Sequence, residues 1–182
     1  MATLNNDFLS IHSDILKEYS IDPEKLPKKR SPRWCIKFSG IEGGVDIEAA
    51  KGAFDAYHCS FDFKRKLNGK DNVGAGLEGT CLFILQNNPE TPLMANLLQK
   101  LCSNTVFETV SVVRLMDEAK KNLQNAFVMS NAKLVSVSNT NDIMLGTLVC
   151  NKLTIMDSKV SDSGESDGQI KASYNFEKGE VV

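Results

Sequence analysis

Apolar runs in this sequence stay well short of the roughly 20 residues that a helix needs to cross a bilayer. Its opening residues, Met1-Ala-Thr-Leu-Asn-Asn-Asp, lack the basic start and apolar centre of a secretory signal. No membrane insertion and no signal peptide are therefore expected. Basic charge is not in excess. The formal net charge is −2, and the basic clusters are triplets at most, such as Lys28-Lys29-Arg30 between Pro27 and Pro32. Three charges do not make a stripe that tracks phosphates, so nucleic acid is not an expected partner.

Metal-binding spacings are missing too, and catalytic ones lack a fitting context. The string Gly164-Glu-Ser-Asp-Gly168 has the G-x-S-x-G form but belongs to a Ser-, Asp- and Gly-rich loop, not a strand-to-helix turn, and Gly74-Ala-Gly76 with Gly79 is not followed by the Gly-Lys-Ser/Thr of a phosphate loop. No C-x2-C or H-x3-H spacing occurs, and the acidic group Asp157, Asp162, Glu165 and Asp167 lacks the glycine and terminal Glu of a calcium loop. The two histidines, His12 and His58, are far apart in sequence. His58 belongs to the polar side of a strand, where solvent or a subunit contact is a simpler role than catalysis, and its neighbour Cys59 faces the other way. The five cysteines (Cys35, Cys59, Cys81, Cys102 and Cys150) are odd in number, widely spaced and set among apolar residues. They read as buried reduced thiols. The expectation is no catalytic residues, no metal and no cofactor.

With 182 residues, 42% of them hydrophobic and 24% charged, the chain has the make-up of one ordinary globular domain. Residues 1–32 stand apart as an N-terminal extension and linker. Phe8, Leu9, Ile11, Ile15, Leu16 and Tyr19 have the spacing of a short amphipathic helix, and three prolines follow between Pro23 and Pro32. Residues 33–182 form the domain proper. Strands are predicted at 33–39, with Trp34 and Phe38 facing the core, at 45–48, and at 56–67. In the last of these Tyr57, Cys59, Phe61 and Phe63 alternate with polar residues. A polar loop at 68–79 follows, then a doubly covered strand at 81–85.

The stretch from 78 to 109 is the most telling. Thr91-Pro92 supplies an N-cap and a first-turn proline, and Leu93, Leu97, Leu98 and Leu101 make one apolar stripe with Met94 at its margin. The helix is expected to end near Ser103-Asn104, with a strand at 107–115 directly after. Two readings fit residues 116–129, a hairpin turn at 117–122 or a helix. Further strands are predicted at 127–138 and 145–156. An exposed loop at 157–168 and an edge strand at 169–177, with Ile170, Ala172, Tyr174 and Phe176 on one side, close the chain. The expected fold class is mainly β: a small barrel of antiparallel strands with one flanking helix at about 91–103.

This order of elements, including Phe38-Ser-Gly-Ile-Glu-Gly43, Asn131-Ala-Lys-Leu-Val-Ser-Val137 and Gly146-Thr-Leu-Val-Cys-Asn-Lys-Leu-Thr-Ile155, resembles the haemolysin-coregulated protein (Hcp) family. That family forms the inner tube of bacterial type VI secretion systems and is related to phage tail-tube proteins. The likeness covers residues 33–156, whereas residues 1–32 and 157–182 depart from it. The resemblance implies a structural protein, not an enzyme, that assembles into stacked six-membered rings. It implies spike and sheath proteins as partners, small effectors carried in the lumen, synthesis in the bacterial cytoplasm and export through the apparatus. On the residues alone, a monomeric β-barrel module binding a peptide or small ligand is the alternative, and a small hydrolase a more distant one.

Overall fold

A computed structural model describes residues 33–65, 77–86, 93–117, 122–140, 143–160 and 166–182. Nine strands and one α-helix follow in the order β1 (Arg33–Phe38), β2 (Phe54–Arg65), β3 (Leu77–Gln86), α1 (Leu93–Ser103), β4 (Val106–Asp117), β5 (Asn122–Thr140), β6 (Ile143–Val149), β7 (Lys152–Val160), β8 (Ser166–Asn175) and β9 (Glu180–Val181). All pairings are antiparallel. The order β4-β1-β2-β3-β6-β5 closes on itself through a β4–β5 pairing, and β7, β8 and β9 continue outward from β5. The domain is thus a six-stranded barrel with a three-stranded wing. Closure pairs strand edges that would otherwise invite pairing with other chains, although β2 meets β1 only through Phe54–Ala56.

The 19-residue β5 makes this architecture possible. One of its edges carries β6 from Lys133 to Thr140 and then β7 from Asn125 to Ser130. β6 and β7 are therefore one run broken at Cys150–Asn151, not the single strand expected over 145–156. At the break the outer partner changes: β6 pairs with β3, whereas β7 pairs with β8. Asn131 answers from β5 with φ 50°, a left-handed conformation that Asn tolerates better than most residues. The sheet bends here, so that one part curls into the barrel and the other opens into the wing.

The core follows from strand alternation. Ile36, Phe38, Phe83, Phe107, Val110, Val112 and Leu148 are fully or almost fully buried in one cluster. Phe38 sits at its centre, with ring centroids of Phe83, Phe107 and Phe54 at 5.6, 5.2 and 6.1 Å. Trp34, expected on the same side, is only half-buried at the edge of this cluster. A smaller cluster of Cys35, Val45, Ala50, Ala53 and Leu115 forms on the opposite face of β1 and β4. Residues 45–47, expected as a strand, belong to no strand, and Glu48–Ala50 is a 3-10 turn. Its Ala50 anchors this cover.

Helix α1 packs against β5. Leu93 and Leu97 are buried in the main core, Leu101 and Met94 are partly buried, and Leu98 is 46% exposed. The stripe is thus narrower than the leucines suggest, because Leu98 adjoins Leu97 and sits about 100° round the helix from it. The Thr91-Pro92 start signal lies outside the described residues. The C-terminal stop is well formed. Asn104 takes φ 54°, its N–H donates to the Leu101 carbonyl at 3.3 Å, and the Thr105 N–H donates to the Lys100 carbonyl at 3.2 Å. These two bonds make a Schellman cap with Asn in the left-handed position.

Other expectations are corrected by the pairing pattern. β4 ends at Asp117 opposite Asn122, and β5 then runs on through 129, so the helix reading of 116–129 is wrong. The loop expected at 68–79 stops sooner, since Leu77–Gly79 already pair with Phe63–Arg65; residues 66–76 lie outside the described set. Likewise β7 extends to Val160 and β8 begins at Ser166, leaving 161–165 outside the described residues. β8 is not the last strand, because Tyr174 and Asn175 pair with β9. Nor does it bury the side carrying Ile170 and Ala172. Both are exposed, and the buried residue is Ser173, whose hydroxyl shares a 2.9 Å hydrogen bond with that of Thr154.

Candidate functional site

Among the described residues, the histidine and the acidic side chains singled out in the sequence do not converge. His58 is half-buried on β2, beside a bulge in which Ala56 opposes Leu85 and His58 opposes Ile84, leaving Tyr57 as the extra residue. His12 lies outside the described residues. Cys35, Cys59 and Cys81 are buried, Cys150 is half-buried, and Cys102 is exposed on α1, contrary to the expectation of five buried thiols. Burial pushes the Cys59 thiol well above its ordinary range, with Cys81 and Cys35 adding to the rise. Burial likewise raises Cys81, and raises Cys150 to about 11. Since the thiolate is the reactive species, these three stay protonated and inert at neutral pH.

Of the acidic group, Asp157 sits on β7 and accepts a 2.6 Å hydrogen bond from the Asn125 amide; Asp162 and Glu165 lie outside the described residues. Among the described residues, no three His, Cys, Asp or Glu side chains are placed to share a metal ion, and no helix is long and apolar enough to cross a membrane.

What the fold does bring together is aromatic. The β2 bulge shifts the inward-facing set from Phe54 and Ala56 to Cys59 and Phe61. Phe61 consequently stacks on Phe127 of β5 with centroids 4.1 Å apart and planes inclined by 16°. Phe127 in turn lies 6.4 Å from Trp34, over whose ring the Arg114 guanidinium sits at 5.3 Å. Phe63 continues the row and is 42% exposed. Arg33 forms a two-pronged ion pair with Asp55 at the start of β1. Sequence alternation found Phe61 and Phe63 but not their partners, because the bulge and the β5 register set who meets whom.

Two glycines fix how closely the layers approach. A Cβ on Gly146 would lie 2.2 Å from Cζ of Phe83, its cross-strand partner. A Cβ on Gly79 would lie 2.5 Å from Cζ of Phe176, which follows β8. The second contact ties the β2–β3 hairpin to the wing.

Comparison with known proteins rests on shape. No protein-family model matches the sequence, and no curated relative does. Solved structures do match. Hcp1 from Salmonella typhimurium superposes with a TM-score of 0.67 at 14% identity, over 84% of this chain and 100% of that one. The chain has the Hcp fold. A type six secretion system protein gives a TM-score of 0.68 at 10% identity over 84% of this chain and all of its own. A type VI secretion system effector from Yersinia pestis gives 0.58 at 17% identity, over 78% of this chain and 98% of its own. The Hcp fold accounts for the barrel and for helix α1. It leaves the surface chemistry to this chain's own residues, since so few are shared.

Proposed function

We propose that this chain is a structural subunit that assembles head to tail into six-membered rings, stacked as the inner tube of a bacterial type VI secretion system. What carries this reading is the match to Hcp1 over that protein's entire length. The chain's partners are other copies of itself, a spike at the tip and a sheath outside, with small effector proteins in the lumen. It is made in the cytoplasm and leaves the cell through the apparatus. Residues 1–32 form an extension to the tube domain at 33–182.

A closed ring of this kind needs two different surfaces on each subunit that fit one another, with a rotation that divides the circle. The barrel with a protruding wing has this asymmetry. Size-exclusion chromatography with light scattering, followed by negative-stain microscopy of the full chain, tests the proposal. Rings of six subunits support it, and a monomer across the whole accessible concentration range refutes it.

A further inference from the structure

Where the barrel opens into the wing, three sulfur-bearing side chains meet. Cys81 of β3 pairs with Leu148 of β6, and Cys150 follows two residues later, in the break before β7. Met129 of β5 pairs with Leu153 just beyond that break. Cys81, Cys150 and Met129 line one cavity of about 10 Å³, with Phe61, Phe63 and Phe176 around it. The Phe176 ring also crowds Gly79 so closely that a Cβ there would stand 2.5 Å from its Cζ. Cys35, Cys59 and Cys102 do not line this cavity, and no charged side chain does.

Size and chemistry restrict the occupant. About 10 Å³ is room for one water-sized sphere, yet a water needs two to four polar partners and this lining presents no polar surface. An organic ligand is too large. What fits is a single atom that bonds to sulfur. Magnesium and calcium ask for oxygen ligands, and structural zinc asks for four donors where the cavity offers three. Thiolate and thioether sulfurs are the soft donors that select Cu(I). The stagger agrees. Cys81 and Cys150 are offset by two positions across the β3–β6 ladder, a diagonal that sets Cβ atoms roughly 7 Å apart. A disulfide needs about 3.5–4.5 Å between Cβ atoms, whereas a metal atom with two sulfur bonds of about 2.3 Å each spans the wider gap.

We propose that Cys81, Cys150 and Met129 form a binding site for a single Cu(I) ion. Binding moves two protons and no electron. Each thiol gives its proton to solvent as a copper–sulfur bond forms, the Met129 thioether adds a neutral third bond, and the copper enters and stays as Cu(I). Burial holds both thiols protonated, so the metal must displace the protons itself and its affinity should rise with pH. The donors come from β3, β5 and the β6–β7 break, which is why no sequence spacing marks them.

Cys102→Ser removes the exposed thiol and gives the reference protein. The full chain is titrated with Cu(I) under anaerobic conditions against the chelator bicinchoninate, and X-ray absorption at the copper edge reads the coordination. One Cu(I) per chain is expected, with sulfur-only coordination and a melting temperature that rises on binding. Adding Cys81→Ala or Cys150→Ala should weaken binding by at least about 100-fold, the most that outer partners of a metal site contribute. Cys59→Ala should leave it unchanged, and Met129→Leu, a swap that cores tolerate, should weaken it less than loss of either thiol. If Cys81→Ala does not fold, Cys150→Ala at its half-buried position decides, together with the copper spectrum of the reference protein. No uptake by the folded reference, nitrogen or oxygen coordination, uptake that survives Cys150→Ala, or uptake lost in Cys59→Ala would each overturn the site. Unchanged affinity in Met129→Leu would overturn the part given to the thioether. None of these results bears on the ring proposal.

Discussion

Gly146→Ala is a small change with a large expected cost. In a strand interior alanine should be favoured over glycine by about 0.5–1 kcal/mol, because glycine loses more backbone freedom on folding. At position 146 the new methyl carbon would stand 2.2, 2.7 and 2.8 Å from Cζ, Cε1 and Cε2 of Phe83. Phe83 cannot swing away, for it is fully buried and packed at 72° against Phe38. Overpacking of this kind costs about 1–3 kcal/mol and occasionally more. Contacts this short put the cost near the upper end of that range, so the clash should outweigh the backbone gain and leave a net loss of about 2 kcal/mol. For a domain of this size that lowers the melting temperature by about 4–8 °C, measurable by circular dichroism or calorimetry. Leucine has none of the three ring atoms in the clash, so Phe83→Leu in the same background should recover part of the loss. Coupling should then exceed about 1 kcal/mol in a double-mutant cycle. A Gly146→Ala protein as stable as wild type, or one that Phe83→Leu only weakens further, would refute this account of the barrel wall.

Further outcomes follow from burial and ionisation. Leu97→Ala should cost about 2–5 kcal/mol in urea unfolding, because its site is sealed, whereas Leu98→Ala should stay within about 0.5 kcal/mol of wild type. Toward a thiol reagent at pH 8 the native chain should expose one fast cysteine, Cys102, and release the buried thiols only on unfolding. The folded Cys150 thiol is raised to about 11, above its ordinary value of 9.0. Its contribution to stability is therefore present below pH 9 and lost as pH rises to 11, where the unfolded chain ionises first. The urea midpoint should fall across that window, and Cys150→Ala should flatten the fall. Gly79→Ala should be milder than Gly146→Ala, since Phe176 is half-buried and can move aside.

Much of the barrel is legible in the residues, for particular reasons. The alternation around Phe61, the uninterrupted run from Cys81 to Leu85 and the Leu93/Leu97 stripe each reflect burial that a single element imposes on its own sequence. What stays hidden depends on partners distant in the chain. The break at Cys150–Asn151 exists because β3 and β8 compete for the two halves of one run, and no local signal marks it. The β2 bulge at Tyr57 turns Phe54 and Ala56 inward where simple alternation favours Tyr57. The apolar residues of β8 suggest a buried face, yet Ile170 lies exposed.

The central claim is that this barrel is a tube subunit, and the mass of the assembled full chain in solution tests it most directly. Light scattering on a size-exclusion column should give about 120 kDa, six chains of 20.0 kDa each, with ring-shaped particles in the same fraction by microscopy. A single species of about 20 kDa at every concentration, with no rings, would contradict the account.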